Sequence, residues 1–315
     1  MKSLTLTILV LSIFCVGGCT HSQPVTEEEI DTNTTPEALV PLNEIVSGGP
    51  PKDGIPPIDD PIFVSAADAE EFVEDTTFGM LVSANGEDKF YPYNILNWHE
   101  IVNDTVGNKN LTVTFCPLCA TGIVFERDIN GTTYDFGTSG KLYESNLIMY
   151  DSQTDTYWSQ VLAQAIVGPL TGTKLSIYPS SIVEFGRIKD IPNLKVLSND
   201  TGENRNYNRN PYQGYDNSDT LYFQVSNKDE RLPAKTVMYA INVGDRQKAY
   251  VFNDLLKAGS LEDKFNDVEL SISVNPDNDE ITVTNKSTNE RIVGYNVFWF
   301  SWATHNGEDG ELWQN

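Results

Sequence analysis

Leu111-Thr112-Val113-Thr114-Phe115-Cys116-Pro117-Leu118-Cys119-Ala120-Thr121-Gly122-Ile123-Val124-Phe125 is the stretch that decides the fold class. Its first five residues are rich in β-branched and aromatic types, which suit a pleated surface. Cys116 to Cys119 then reads as a turn, and 120–125 as turn and strand. The helix that thioredoxin-type sites place after Cys-x-x-Cys is missing. The cysteines therefore belong to a strand–turn–strand unit.

Short β-rich runs surround this stretch. They cover residues 78–82, 89–91, 123–127, 133–136, 147–150, 175–177, 194–197, 221–225, 237–243, 268–274, 281–284 and 297–302. Asn130-Gly131 predicts a hairpin turn, because both residues accept positive φ. Ile95, Leu96, Trp98, Ile101 and Val102 stand near helical spacing and predict a helix over 93–102. Many short strands with few short helices define an α+β class that is mainly β.

A shift of 159 residues superimposes two stretches of the chain. Lys89, Tyr91, Asn94, Leu96, Asp104, Leu111, Pro117 and Val124 fall on Lys248, Tyr250, Asn253, Leu255, Asp263, Leu270, Pro276 and Val283. The match predicts two related strand-rich halves, about 50–195 and 220–315. The second half lacks the reactive groups. Trp98, His99 and Glu100 correspond to Lys257, Ala258 and Gly259, and Cys116 and Cys119 to Asn275 and Asn278.

The chain has 315 residues, with 45 Asp and Glu against 21 Lys and Arg, for a net charge of −24. That balance excludes nucleic acid as the expected partner, since phosphate binding needs a basic footprint. Lys2 precedes the apolar run 4–16, which is too short for a permanent membrane span and suits a secretory leader. The ending Val16-Gly17-Gly18-Cys19 resembles a bacterial lipoprotein cleavage box. The resemblance implies cleavage after residue 18, lipidation of Cys19, and an extracytoplasmic, membrane-anchored protein. Residues 19–49 are rich in Thr, Glu and Pro and read as a flexible acidic tether. A Pro/Gly cluster at 49–57 then opens a single β-rich domain over 50–315.

Cysteines at i and i+3 around a turn can bond each other or hold one soft metal ion. Three readings compete: a structural disulfide, a redox dithiol, and a copper or zinc site. A disulfide here would close a very short loop, so its chain-entropy gain is small. A metal needs further ligands, and His99 and Met149 are the candidates beside Cys116 and Cys119. A helix through 93–102 sets Glu100 and Asp104 on one face, with His99 and Asn103 on the adjacent one. Glu100 or Asp104 could then orient the imidazole. His99 and Glu100 could instead act as a general acid/base pair. No Gly-x-Ser-x-Gly elbow, phosphate loop or His-Glu-x-x-His run accompanies them. Residue 120 is Ala, not His, which excludes cytochrome-type haem attachment. Gly137 to Gly140, Asn146, Asp151 to Asp155 and Trp158-Ser159-Gln160 read as turn and core residues. Residues 198–218, rich in Asn, Asp, Gly and Tyr, read as a long ordered loop. A non-catalytic binding module built on such polar loops is the third class of function.

From about residue 50 to 302 the chain resembles the bacterial and archaeal proteins carrying "domain of unknown function 3179". The likeness rests on Asp53-Gly54-Ile55-Pro56, Tyr91-Pro92, Asn97 to Asp104, Cys116 to Cys119, Phe136 to Gly140, Met149-Tyr150-Asp151, Trp158-Ser159-Gln160 and Gly168 to Gly172. It implies that the His-Glu and Cys-Pro-Leu-Cys segments belong to one domain type. It implies no activity, ligand or mechanism.

Overall fold

In the computed structural model, which describes residues 38–307 and 309–314, the Cys-x-x-Cys turn joins two strands of the largest sheet. Strand Lys109–Cys116 pairs antiparallel with Thr121–Glu126, from Leu111 opposite Glu126 to Cys116 opposite Thr121. Residues 111–116 are all buried, threonines included, because the sheet is covered on both faces. Phe115 belongs to one apolar cluster and Cys116 to another, as alternation across a strand requires. The cysteine face also carries Ile123, Phe125, Met149, Trp158 and Trp299.

The largest sheet runs, in spatial order, through Glu311–Trp313, Arg246–Val251, Val237–Val243, Gly294–Phe298, Thr121–Glu126, Lys109–Cys116 and Ile101–Val106, with Ile177–Tyr178 also on Thr121–Glu126. Two five-stranded sheets, a four-stranded sheet and a two-stranded ribbon complete the β structure. Four short α-helices make the fold mainly β, as its sequence predicts.

The order of elements recurs at the offset of 159. Strands Phe78–Ala84 and Glu87–Pro92, helix Tyr93–His99 and strand Ile101–Val106 correspond to Val237–Val243, Arg246–Val251, helix Phe252–Ala258 and Ser260–Phe265. A buried network recurs with them. Lys89 Nζ donates to Asp104 Oδ2 at 2.8 Å, and Tyr91 Oη donates to the same oxygen at 2.6 Å. Lys248 Nζ lies 2.7 Å from Asp263 Oδ2, to which Tyr250 Oη donates at 2.7 Å. Each network ties the second strand of its hairpin to the strand after its helix. This is why Lys, Tyr and Asp are among the residues that survive the shift.

Several elements differ from expectation. Helix Tyr93–His99 stops before 102, because Glu100 takes φ 58° and the chain leaves as strand Ile101–Val106. The β-branched pair Ile101-Val102 favours that strand over a further turn. Asp104 and Asn103 are therefore strand residues and share no helix face with Glu100 and His99. Residues 221–225 form no strand; Leu221, Phe223 and Val225 pack onto the cysteine-side cluster without a ladder partner. The apolar run 297–302 divides into strand Gly294–Phe298 and helix Trp299–Asn306. Its residues are buried on all sides, so they show neither period. Asn130-Gly131 does turn a hairpin, between the two-residue strands Asp128–Ile129 and Thr132–Thr133. Residues 45–47, assigned to the tether, form a strand on Phe136–Tyr143, and Leu39 N donates to Ile166 O. The leader, Cys19 and the rest of the tether up to residue 37 lie outside the described residues.

Candidate functional site: a buried thiol pair beneath a covering segment

Cys116 and Cys119 are free cysteines, 2% and 0% exposed, with Sγ atoms 2.8 Å apart. Pro117 and Leu118 form the turn, Cys119 N donates to Cys116 O, and Ala120 takes φ 47°. That geometry turns both sulfurs into the same side of the sheet.

The two thiols are unequal. Burial is the largest influence on Cys119 and would raise its thiol. Hydrogen bonds from Cys116, Thr121 and Asn146 outweigh it and leave Cys119 below the ordinary thiol range. Burial, and then the bond to Cys119, push Cys116 well above that range. Of the two sulfurs, Cys119 is thus the more readily ionised. A thiolate is the nucleophilic and ligating form.

Behind Cys119 lies a fully buried amide network. Asn146 Nδ2 donates to Cys119 Sγ at 3.0 Å and to Gln160 Oε1 at 3.2 Å. Gln160 Nε2 donates to Thr114 Oγ1 at 2.9 Å and to Thr121 O at 3.0 Å. Asn146 and Gln160, which read as turn and core residues in the sequence, thus hold the sulfur from behind. No signal in the local sequence marks them, since Asn146 follows Glu144-Ser145 and Gln160 follows Ser159. Asn146→Ala removes a charge-assisted bond of about 1.5–3 kcal/mol, so the Cys119 pKa should rise by about one unit or more. Titration of thiolate absorbance in Cys116→Ser backgrounds with and without the change measures this; an unchanged pKa would refute the assignment.

Glu100 is the second unusual group. Its side chain is buried, and that burial pushes its carboxyl up to about 8, with the Tyr212 hydroxyl and Cys119 as smaller influences. Tyr212 Oη donates to Glu100 Oε1 at 3.2 Å. The backbone there is left-handed, a conformation that costs non-glycine residues energy. At the matching position of the second half stands Gly259, φ 68°, closing its helix with the same bond to the residue four back. Glu100 thus bears both a conformational and a desolvation cost at a position that suits glycine.

His99 is fully buried but does not join the sulfurs. Its Nδ1–H donates to Pro56 O at 2.8 Å, so Nε2 accepts from Tyr207 Oη at 2.7 Å. Burial holds its pKa below the ordinary value. Both ring nitrogens are engaged, and the ring is not placed as a metal ligand. Met149 is buried in the cluster that contains both cysteines. Asp104 is committed to Lys89 and Tyr91. Asn103 donates to Asp59 and Phe136 O. Among the described residues no group of three or more His, Cys, Asp and Glu is placed to hold a metal ion. Copper or zinc held by Cys116, Cys119 and His99 would require the ring to release Pro56 O and Tyr207 Oη.

What Trp98, His99 and Glu100 do is hold a covering segment. Trp98 Nε1 donates to Arg209 O at 3.0 Å, His99 meets Tyr207, and Glu100 meets Tyr212. These partners belong to residues 198–235, which contain no helix or strand and connect the two halves. Tyr215, 2% exposed, belongs to the cluster that contains both sulfurs. Lys235 Nζ fastens this segment by donating to the carbonyls of Tyr215, Ser218 and Thr220. At the other end of the site, Thr138 Oγ1 donates to Ile55 O and Tyr150 Oη to Asp53, docking the segment that carries Pro56.

Fold and site together define a mainly β protein with a shielded thiol pair in its first half. The family model described as "Protein of unknown function (DUF3179)" matches residues 52–298, and the chain belongs to that family. No curated protein and no solved structure matches the chain.

Proposed function

We propose that the protein is a dithiol–disulfide oxidoreductase in which Cys119 is the nucleophile and Cys116 the resolving thiol. The observation that carries this reading is the unequal surroundings of the buried pair: Asn146 Nδ2 donates to Cys119 Sγ, which favours ionisation there, while burial disfavours it at Cys116. A purely structural bond has no use for that asymmetry. The expected lipid anchor supports the same reading, because an extracytoplasmic setting permits disulfides.

The reaction is two-electron exchange. The Cys119 thiolate attacks a substrate disulfide, forms a mixed disulfide and expels one thiolate. Cys116 then attacks the Cys119 sulfur and expels the second. Its proton must leave a buried site; Glu100, whose carboxyl titrates at about 8, accepts it once ionised, so resolution should quicken as the pH rises through about 8.

Cys116→Ser should accumulate a mixed disulfide on Cys119, whereas Cys119→Ser should accumulate none. The wild-type pair should have a reduction potential between roughly −120 and −270 mV, the span of exchange-active dithiols. A potential below roughly −300 mV with no trapped species marks a structural disulfide and sinks the proposal.

A further inference from the structure

The Cys-x-x-Cys turn borders a cavity of about 840 Å³. That size lies within the usual range for small-molecule sites. Buried Pro117 and half-buried Ala120 of the Cys-x-x-Cys turn line it, as do Phe115, Tyr212 and Tyr215. The sulfurs thus lie behind the turn that forms part of its wall. Tyr215, almost fully buried, lines the cavity with a hydroxyl that has no hydrogen-bond partner in the protein.

The lining has one sign of charge. Glu70, Glu71, Glu74 and Asp216 contribute carboxylates, and no Lys, Arg or His is among the described residues that line it. Glu70 lies 3.4 Å from Lys189, and Asp216 interacts with the Lys235 ammonium that sits over the Tyr215 ring; Glu71 and Glu74 remain as exposed carboxylates without an ion pair among the described residues. Aromatic faces and tyrosine oxygens provide the remaining surface. Cations are attracted to both ring faces and carboxylates.

We infer that the cavity admits a cationic disulfide as the substrate of the thiol pair; this rests on the oxidoreductase reading above. The positive group settles against Glu71 and Glu74, and the disulfide reaches the sulfurs where Tyr212 and Tyr215 give way. The Cys119 thiolate attacks one substrate sulfur, the S–S bond breaks, and the first thiolate leaves. Cys116 attacks Cys119, and the second thiolate leaves. The Cys116 proton passes through ionised Glu100 to one of the released thiolates. The substrate is reduced by two electrons and the protein thiols are oxidised to a disulfide.

The test measures oxidation of the reduced full chain by cystamine, hydroxyethyl disulfide and dithiodipropionate, which are cationic, neutral and anionic. At low salt cystamine should react about tenfold faster than the neutral compound, and the anionic one slowest. The variant Glu71→Gln/Glu74→Gln/Asp216→Asn should bring cystamine to within about twofold of the neutral rate. The control Asp267→Asn/Asp277→Asn/Glu290→Gln, away from the cavity, should keep the preference. A lysine-flanked peptide disulfide distinguishes a polypeptide source from a small molecule; it too must react faster than its uncharged counterpart. Equal rates for cystamine and the neutral disulfide overturn this inference but leave the thiol chemistry standing, as does a control variant that loses the preference equally. If no disulfide oxidises the thiols, both fall.

Discussion

Glu100→Gln should leave stability nearly unchanged at pH 4.5 and raise it by roughly 4 kcal/mol at pH 8.5. The folded carboxyl titrates at about 8 against a reference of 4.5, and burial is the main cause. Below pH 4.5 the group is neutral in both states and adds no difference. Between 4.5 and 8 the folded protein keeps a proton that the unfolded chain has released. Stability then falls with rising pH, by about 1.4 kcal/mol per unit. Above 8 both states are ionised and the loss levels off. Glutamine keeps the shape and the acceptor for Tyr212 without the charge, so the difference between variant and wild type isolates this one group. Urea unfolding across pH measures it. A parallel pair of stability curves would show that Glu100 titrates normally. Above pH 8, where Glu100 is ionised, the same variant should slow the resolution of mixed disulfides on Cys119, because the proton acceptor is gone.

Lys89→Met should destabilise the fold by about 3–5 kcal/mol, the cost of stranding one member of a buried ion pair. The Lys89 and Asp104 side chains are 7% and 8% exposed, and Lys89 also donates to Thr105 O at 2.9 Å. Methionine fills the space but leaves the carboxylate with only Tyr91 and a backbone N–H. The matching Lys248→Met should cost less. Asp263 is 16% exposed there, and Glu311, the other partner of Lys248, is 44% exposed, so water can take over. Urea midpoints at constant m-value measure both. Equal losses would mean that burial does not set the difference between the two networks.

The strand on either side of the Cys-x-x-Cys turn was legible from residue type alone, and so was the offset of 159. Strands Val237–Val243 and Val268–Val274 have the bounds read from the sequence. Each depends on neighbours in the chain: β-branched runs, turn residues, repeated spacing. The helix end at Glu100 was not legible, because glutamate is an ordinary helix former and only the Gly259 counterpart hints at the left-handed backbone. The strand-to-helix switch at Trp299 was hidden by uniform burial. Asn146 and Gln160 read as turn and core residues, and nothing beside them in the chain marked them as partners of Cys119.

The amino-acid order by itself determined a mainly β chain, two units of like element order, an acidic surface and one turn with two sulfurs. These follow from local preference and from pattern, which act over a few residues. Which groups meet those sulfurs was decided only by the tertiary structure. His99 lies 17 positions before Cys116 and spends its ring on Pro56 and Tyr207, while Asn146, 27 positions after Cys119, reaches the sulfur. Contacts between residues so far apart are set by sheet register and by the segment that covers it, and neither is written in local sequence.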